Sequence, residues 1–341
     1  MSSISILNPD QQHRWDSFVA KHPHGTLFHL SKWRSILESV FKSQTCYLMY
    51  HEGDILRGIL PLGRVKSMLF GDALISVPFG VYGGILAETE SARLALMGKA
   101  KDIATELRVD YLELRETTPN CTEGVGQSLY VAFKKELSAD PDENLKAIPR
   151  KQRAVVRKGI DLGLQSEIIS EIDPFFLLYS ESVRNLGTPV LPKSHFQCLK
   201  ETFGDACEIL LIKKDNVPLS AVMSFYYKDT VLPYYGGGND RARSCYANDF
   251  MYWALMNRAL ERDCRWFDYG RSKKDSGSYR FKKHWGFPEA PLNYRYCLIE
   301  AKQPPNLNPY NPKYQMMIKA WQKLPLGVSR LLGPMIASKL G

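Results

Sequence analysis

The chain lacks most of the signatures that announce a chemistry. Its 341 residues hold no C-x-x-C pair, no G-x-S-x-G elbow, no G-x-G-x-x-G fingerprint and no G-x-x-x-x-G-K-[ST] loop. A cysteine-paired zinc module, a nucleophile-elbow hydrolase, a dinucleotide turn and a P-loop each need that spacing, so none is expected. The seven cysteines (Cys46, Cys121, Cys198, Cys207, Cys245, Cys264, Cys297) are scattered and odd in number. That argues against a disulfide framework or a zinc site and predicts a reducing cytoplasm. No apolar run approaches about 18 residues, so no membrane span is expected. The opening MSSISILNPDQQHRWDSF lacks the basic-then-apolar pattern of a signal peptide. Acid is scarce: Asp and Glu number 36 against 45 Lys and Arg, a formal net charge of +9 that favours anionic partners.

What is present fits a globular protein. Hydrophobic residues make 44% and charged residues 24% of the chain, and the length favours two domains over one core. LFHLSKWRSIL carries apolar residues at helical spacing around Trp33. Strand, helix and strand follow in residues 45–116, and the same order returns in residues 174–272. Tyr82-Gly83-Gly84 aligns with Tyr235-Gly236-Gly237, and Glu113 with Asp268, at an offset of about 150 residues in both places. Two ordinary strand-helix-strand units would give this by coincidence; an internal duplication would give it with a cleft between two copies. The joint is placed near 145, before the basic helical run RKQRAVVRKGI, which reads as a solvated face or a phosphate contact. Glycine-rich GGGNDR, after a strand, is a weak phosphate signal.

The stretches YYGGGNDR, ANDFMYW, FDYGRSK and GSYRFKKHWGF, with LFHLSKWRSIL upstream, resemble FemAB-type aminoacyltransferases. ESVRNLGTPVLPK and the tail NLNPYNPKY look like the branch of that family associated with PEP-CTERM/exosortase systems. The resemblance covers residues 20–300 and is strongest after Arg150. It implies an α/β fold with mixed sheets: two tandem acetyltransferase (GNAT)-like domains with an interdomain cleft. The domains expected are 1–145, 146–300 (GNAT-like, FemAB-like/BioF2-like) and a basic amphipathic tail, 301–341.

The resemblance also implies transfer of an acyl or aminoacyl group to an amine of a cell-envelope or exopolysaccharide-related precursor. The donor would be aminoacyl-tRNA or acyl-CoA, with no tightly bound cofactor, and the acceptor an anionic, phosphate-containing molecule. Lys282, in the family's Phe-Lys position, is the expected oxyanion donor. Arg184 is expected to meet the acceptor's anionic groups. Tyr234, Tyr235, Phe281, Trp33, Tyr82 and Asp268 are expected to shape the site, with only one of Tyr234 and Tyr235 facing it by strand alternation. No general base stands out; His284 qualifies only if its run is extended. Two rivals are an ordinary acyl-CoA-dependent N-acetyltransferase and a non-catalytic scaffold binding anionic lipid, nucleic acid or a partner protein. From Lys302 onward the chain has six basic and no acidic side chains, so the tail reads as a helix docked on its domain or as a peripheral contact with the anionic inner membrane face.

Overall fold

A computed structural model of the chain describes residues 1–67, 71–116, 124–127, 129–305 and 312–339. Cys121 and most of NLNPYNPKY lie outside the described residues. The chain divides into two units, 1–130 with 291–307 and 338–341, and 131–290 with 308–337.

The first unit opens with β1 (Ser2–Ile6), α1 (Gln12–Lys21), α2 (Ser31–Phe41), β2 (Thr45–Glu52), β3 (Ile55–Ser67) and β4 (Gly71–Ile75). A two-residue β5 (Leu86–Ala87), α3 (Glu90–Glu106), β6 (Tyr111–Glu116) and β7 (Val125–Gln127) follow. α3 starts where the Thr89 hydroxyl accepts from the Ala92 N–H, a side-chain cap for an otherwise orphaned donor. Its Ala92, Leu96, Met97, Ala100 and Ala104 recur every three to four residues and bury one face against Leu48, Leu60 and Leu112 of the sheet.

The second unit repeats the plan. β8 (Tyr130–Glu136), α4 (Pro141–Ala147) and α5 (Arg150–Asp161) lead into β9 (Gln165–Ile169), α6 (Ile172–Asn185), α7 (Lys193–Phe203), β10 (Cys207–Lys214), β11 (Val217–Tyr227) and β12 (Thr230–Gly238). Then come α8 (Asp240–Ser244), α9 (Ala247–Glu261), β13 (Trp266–Lys273), α10 (Gly277–His284) and β14 (Glu289–Pro291). β15 (Asn293–Leu298), α11 (Pro312–Gln322) and α12 (Leu326–Ala337) complete the chain.

The sheet orders are β1-β2-β3-β4-β6-β15-β7, with β5 on β3, and β14-β8-β13-β12-β11-β10-β9. Four antiparallel strands, then a helix, then a parallel strand occur in both, which is the arrangement a duplication would leave. Each sheet also takes a strand from outside its own repeat. β15 comes after the second repeat yet pairs antiparallel with β6 from Asn293↔Glu116 to Leu298↔Tyr111. β8 comes before the second repeat and sits beside β13. The sequence boundaries at 145 and 300 therefore fall later than the divisions at 130 and 290, because these two short strands carry no mark of which sheet they join.

Most of GSYRFKKHWGF is helical, so the extended run on which the His284 reading depended is not formed. α10 is capped by the Ser276 hydroxyl, which accepts from Tyr279 N–H. The Tyr-Gly-Gly match also needs correction. Tyr235-Gly236-Gly237 lies in β12, opposite Met223, Val222 and Ala221, whereas residues 82–84 follow β4 without strand structure. β4 stops because Val77 and Phe79 have positive φ and Pro78 has no N–H to give the ladder.

Candidate functional site

In the second unit, β12 and β13 run parallel and pair only at Thr230↔Trp266 and Val231↔Phe267. Both strands continue beyond that point, β12 to Gly238 and β13 to Lys273. Asp268 is the first residue past the pairing. It is buried, and its Oδ1 accepts from the N–H of Gly270 at 2.7 Å. Gly270 takes φ +66°, where a side chain is disfavoured, so Asp268 and Gly270 together form a tight turn within the end of β13.

Lys282 reaches this turn from α10. Its ammonium donates to the carbonyls of Tyr269 at 2.7 Å, Gly270 at 3.3 Å and Arg271 at 3.1 Å. A lysine has three donors, and all three are engaged. Burial pushes its pKa down to about 8, while the Asp268 carboxylate acts the other way. The aromatics of the same helix support it. Phe281 is half-buried, 5.5 Å from the Tyr252 ring; Trp285 is fully buried, 6.3 Å from Tyr269; and Lys282 Nζ stands 5.9 Å from the Tyr269 ring centre. His284 is exposed and lies on a helix, not on the extended run its pairing with Lys282 required.

Tyr234 and Tyr235 sit at a bulge. Pro233 faces Ser224 and Tyr235 faces Met223, so Tyr234 has no residue opposite it. The bulge breaks alternation: the two rings lie 4.6 Å apart instead of on opposite faces. The Tyr235 hydroxyl is 2.9 Å from Nε2 of buried His195, so this tyrosine serves the packing of α7 against β12. Burial takes the His195 pKa down to about 3, which keeps the imidazole neutral at physiological pH. Arg184, in the last turn of α6, donates Nη1 to the Leu324 carbonyl between α11 and α12. Through that nitrogen it clamps the tail.

The first unit treats the same place differently. β4 and β6 pair parallel to Ile75↔Glu113, and residues 76–84 then close over the end of β6. Ser76 N–H donates to Glu113 O, and the N–H groups of Gly83 and Gly84 to Arg115 O. Arg115 is buried, its Nε 2.8 Å from Glu113 Oε1, its Nη1 donating to Gly80 O at 2.6 Å and Val77 O at 3.2 Å. Trp33 is fully buried, with its indole N–H on Pro78 O at 3.1 Å. It anchors this closing segment, which departs from the substrate contact expected of it. Tyr82 is half-buried, 6.3 Å from Phe28. The structure thus gathers Lys282, Asp268 and Phe281 at the end of β13 and puts Tyr234 and Tyr235 on β12.

Two carboxyls were not singled out from the sequence. Asp249, in the first turn of α9, is pushed up to about 6 by burial, against the hydrogen bond that the Gln152 amide donates to its Oδ1. As one letter of ANDFMYW it reads equally well as an exposed cap. Glu116 lines a cavity of about 510 Å³ in the first unit with Lys21, His22, His24, Glu90 and Arg93. Its Oε1 accepts from Ile85 N–H at 3.2 Å, and a Cβ at Gly84 would come within 2.4 Å of Oε2. Burial raises its pKa to about 7, opposed by that N–H, Arg93 and Arg295. In the unfolded chain it would titrate near 4.3. Between those values folding must keep a proton that the unfolded state releases, so its contribution worsens as pH rises and levels off above pH 7. Glu116→Gln should therefore gain on the wild type by about 3 kcal/mol between pH 4 and pH 8. Denaturant unfolding of both proteins at the two pH values checks this; a difference independent of pH would refute it.

Among the described residues, no group of three His, Cys, Asp or Glu side chains could hold a metal ion, and no helix is long and apolar enough to cross a membrane.

With this geometry in view, the chain can be placed among known proteins. Residues 146–283 match the family model for the acetyltransferase (GNAT) domain. The structure is similar to the crystal structure of FemX, with a TM-score of 0.68 at 15% identity, covering 93% of this chain and 100% of that one. It is also similar to a tandem GNAT protein from the clavulanic acid biosynthesis pathway, with a TM-score of 0.57 at 11% identity over 89% of this chain and 100% of that one. L-PGS from Bacillus licheniformis gives a TM-score of 0.57 at 10% identity over 96% of this chain and 97% of its own. No curated protein matches. At these identities the structural likenesses carry the fold, and the fold is the tandem GNAT-like, FemAB-like one that the sequence resembled.

Proposed function

We propose that the protein is a cytoplasmic N-acyltransferase of FemAB type that joins an acyl or aminoacyl group to an amine of an anionic cell-envelope or exopolysaccharide-related precursor. One observation carries the reading: within the segment that matches the GNAT domain model, the ammonium of half-buried Lys282, held by three carbonyls, sits where two parallel strands part. Ligands of open α/β sheets bind beyond the carboxyl ends of such strands. The acceptor amine attacks the donor's carbonyl carbon, forming a C–N bond and a tetrahedral oxyanion. Collapse breaks the C–O bond of an ester or the C–S bond of a thioester, and the amine's proton is lost as the leaving oxygen or sulfur takes one up. Lys282 would serve the oxyanion by exchanging one of its three carbonyl partners for it. The bulge at Tyr234 and the Asp268–Gly270 turn would shape the two sides of the opening.

The donor separates this reading from its neighbour. The acetyltransferase model over residues 146–283 favours acyl-CoA, whereas the FemAB-like fold favours aminoacyl-tRNA. Purified protein given a primary-amine acceptor with either donor should yield an amide product by mass spectrometry with at least one of them. Product from the thioester alone would remove tRNA as a partner. No product from either, with Lys282→Ala leaving the protein's output in cells intact, would replace the enzyme by a scaffold.

A further inference from the structure

We propose that α11 and α12 form a docking surface for an anionic lipid bilayer, with one face of α12 entering the interface. This goes beyond acyl transfer and does not depend on it. α12 has two faces of different character. Ser329, Gly333 and Ala337, spaced four apart, are buried, and a Cβ on Gly333 would meet Val190 at 2.8 Å. That close approach fixes which side faces the protein. The other side carries Val328, Leu331, Leu332 and Met335, spaced i, i+3, i+4 and i+7, all exposed, with Leu331 at 75% and Met335 at 71%. On α11, Met316 and Met317 are exposed as well. A helix that has already buried its small-residue face has no use in water for a second, larger apolar face.

The charge around this face selects the occupant. The six basic residues from Lys302 to Lys339 are accompanied by no acidic one. Lys319, on α11, and Lys323, in the turn just after it, are exposed, while Arg330 packs 5.8 Å over the Phe176 ring of α6. Exposed apolar side chains and exposed cations on one tail that carries no acid of its own match the boundary between acyl chains and anionic headgroups. A second copy of the chain would bring the same cations against themselves. A nucleic acid would satisfy the cations and leave the apolar stripe in water. Arg184 strengthens the arrangement, because its bond to Leu324 O holds the turn between the two helices.

The test is co-sedimentation of the full-length protein with phosphatidylcholine vesicles, with and without phosphatidylglycerol. Binding is expected only to the anionic vesicles and should weaken with salt. Lys319→Gln and Lys323→Gln should each lower the partition coefficient about fivefold, because a cation at an anionic surface is worth about 1 kcal/mol. Leu331→Glu with Met335→Glu should lower it at least tenfold while a cooperative thermal melt shows that the protein stays folded. The proposal is overturned if the wild type stays in the supernatant, or if binding survives the glutamates. It is also overturned if those glutamates instead dissolve a lipid-independent dimer.

Discussion

Arg115→Met is expected to destabilise the first unit by about 3–5 kcal/mol, because it leaves the Glu113 carboxylate buried without its cation. Arg115 and Glu113 are 3% and 5% exposed, so water cannot replace the lost partner. The Gly80 carbonyl loses its donor as well, whereas the Val77 carbonyl keeps the Gly80 N–H; the unmade bond adds about 1–3 kcal/mol if the site cannot rearrange. Adding Glu113→Leu should recover part of the loss by removing the stranded charge, but not all, since the Gly80 carbonyl stays without the donor that Arg115 gave it. Guanidinium titrations of the wild type, Arg115→Met and the double variant measure this. A single variant within about 1 kcal/mol of wild type, or a double variant no better than the single, would show that the pair does not hold the segment shut.

That pair also explains why the chemistry is assigned to the second unit. Both repeats put an acid where two parallel strands part, Glu113 and Asp268, and both acids bond to the residue two positions later. In the first unit that residue is Arg115, whose side chain fills the opening and ties down residues 77–80. In the second it is Gly270, which has no side chain, and the cation comes instead from α10. One copy has sealed the place that the other leaves to a lysine from a separate helix.

Much of this was legible in the residues, and what was not has physical causes. The strands and helices from α2 to α3 and from α6 to β13 follow from local propensity, caps and apolar spacing, and the aligned Glu113 and Asp268 do occupy equivalent positions. The bulge at Tyr234 could not be read, because register belongs to two strands and appears in neither alone. α10 was hidden by its composition: aromatics between glycines suggest strands, although Ser276 three residues before Tyr279 and the i, i+4 pair Phe281 and Trp285 are helix signals. Arg184 was expected to meet the acceptor's anionic groups, and a sequence cannot show that its guanidinium also reaches the carbonyl of Leu324, 140 residues on.

Lys282→Met is expected to lower kcat by about a hundredfold to a thousandfold, the cost of removing one oxyanion donor, with a smaller change in KM. Methionine keeps most of the side chain's bulk, so Phe281 and Trp285 retain their packing, while the carbonyls of Tyr269, Gly270 and Arg271 lose their shared donor. Loss of those three bonds alone would lower stability, so stability cannot distinguish a catalytic lysine from a structural one. The pH profile can. Only the ammonium form offers an oxyanion a charge-assisted hydrogen bond, and burial sets that form to be lost above pH about 8. The wild type should therefore show kcat falling tenfold per pH unit above that value, on top of the rise as the acceptor amine deprotonates. In Lys282→Met the falling limb should vanish from the residual activity. A variant that melts earlier yet keeps kcat within threefold and retains the limb would make Lys282 a strut of β13, and the oxyanion would need another donor.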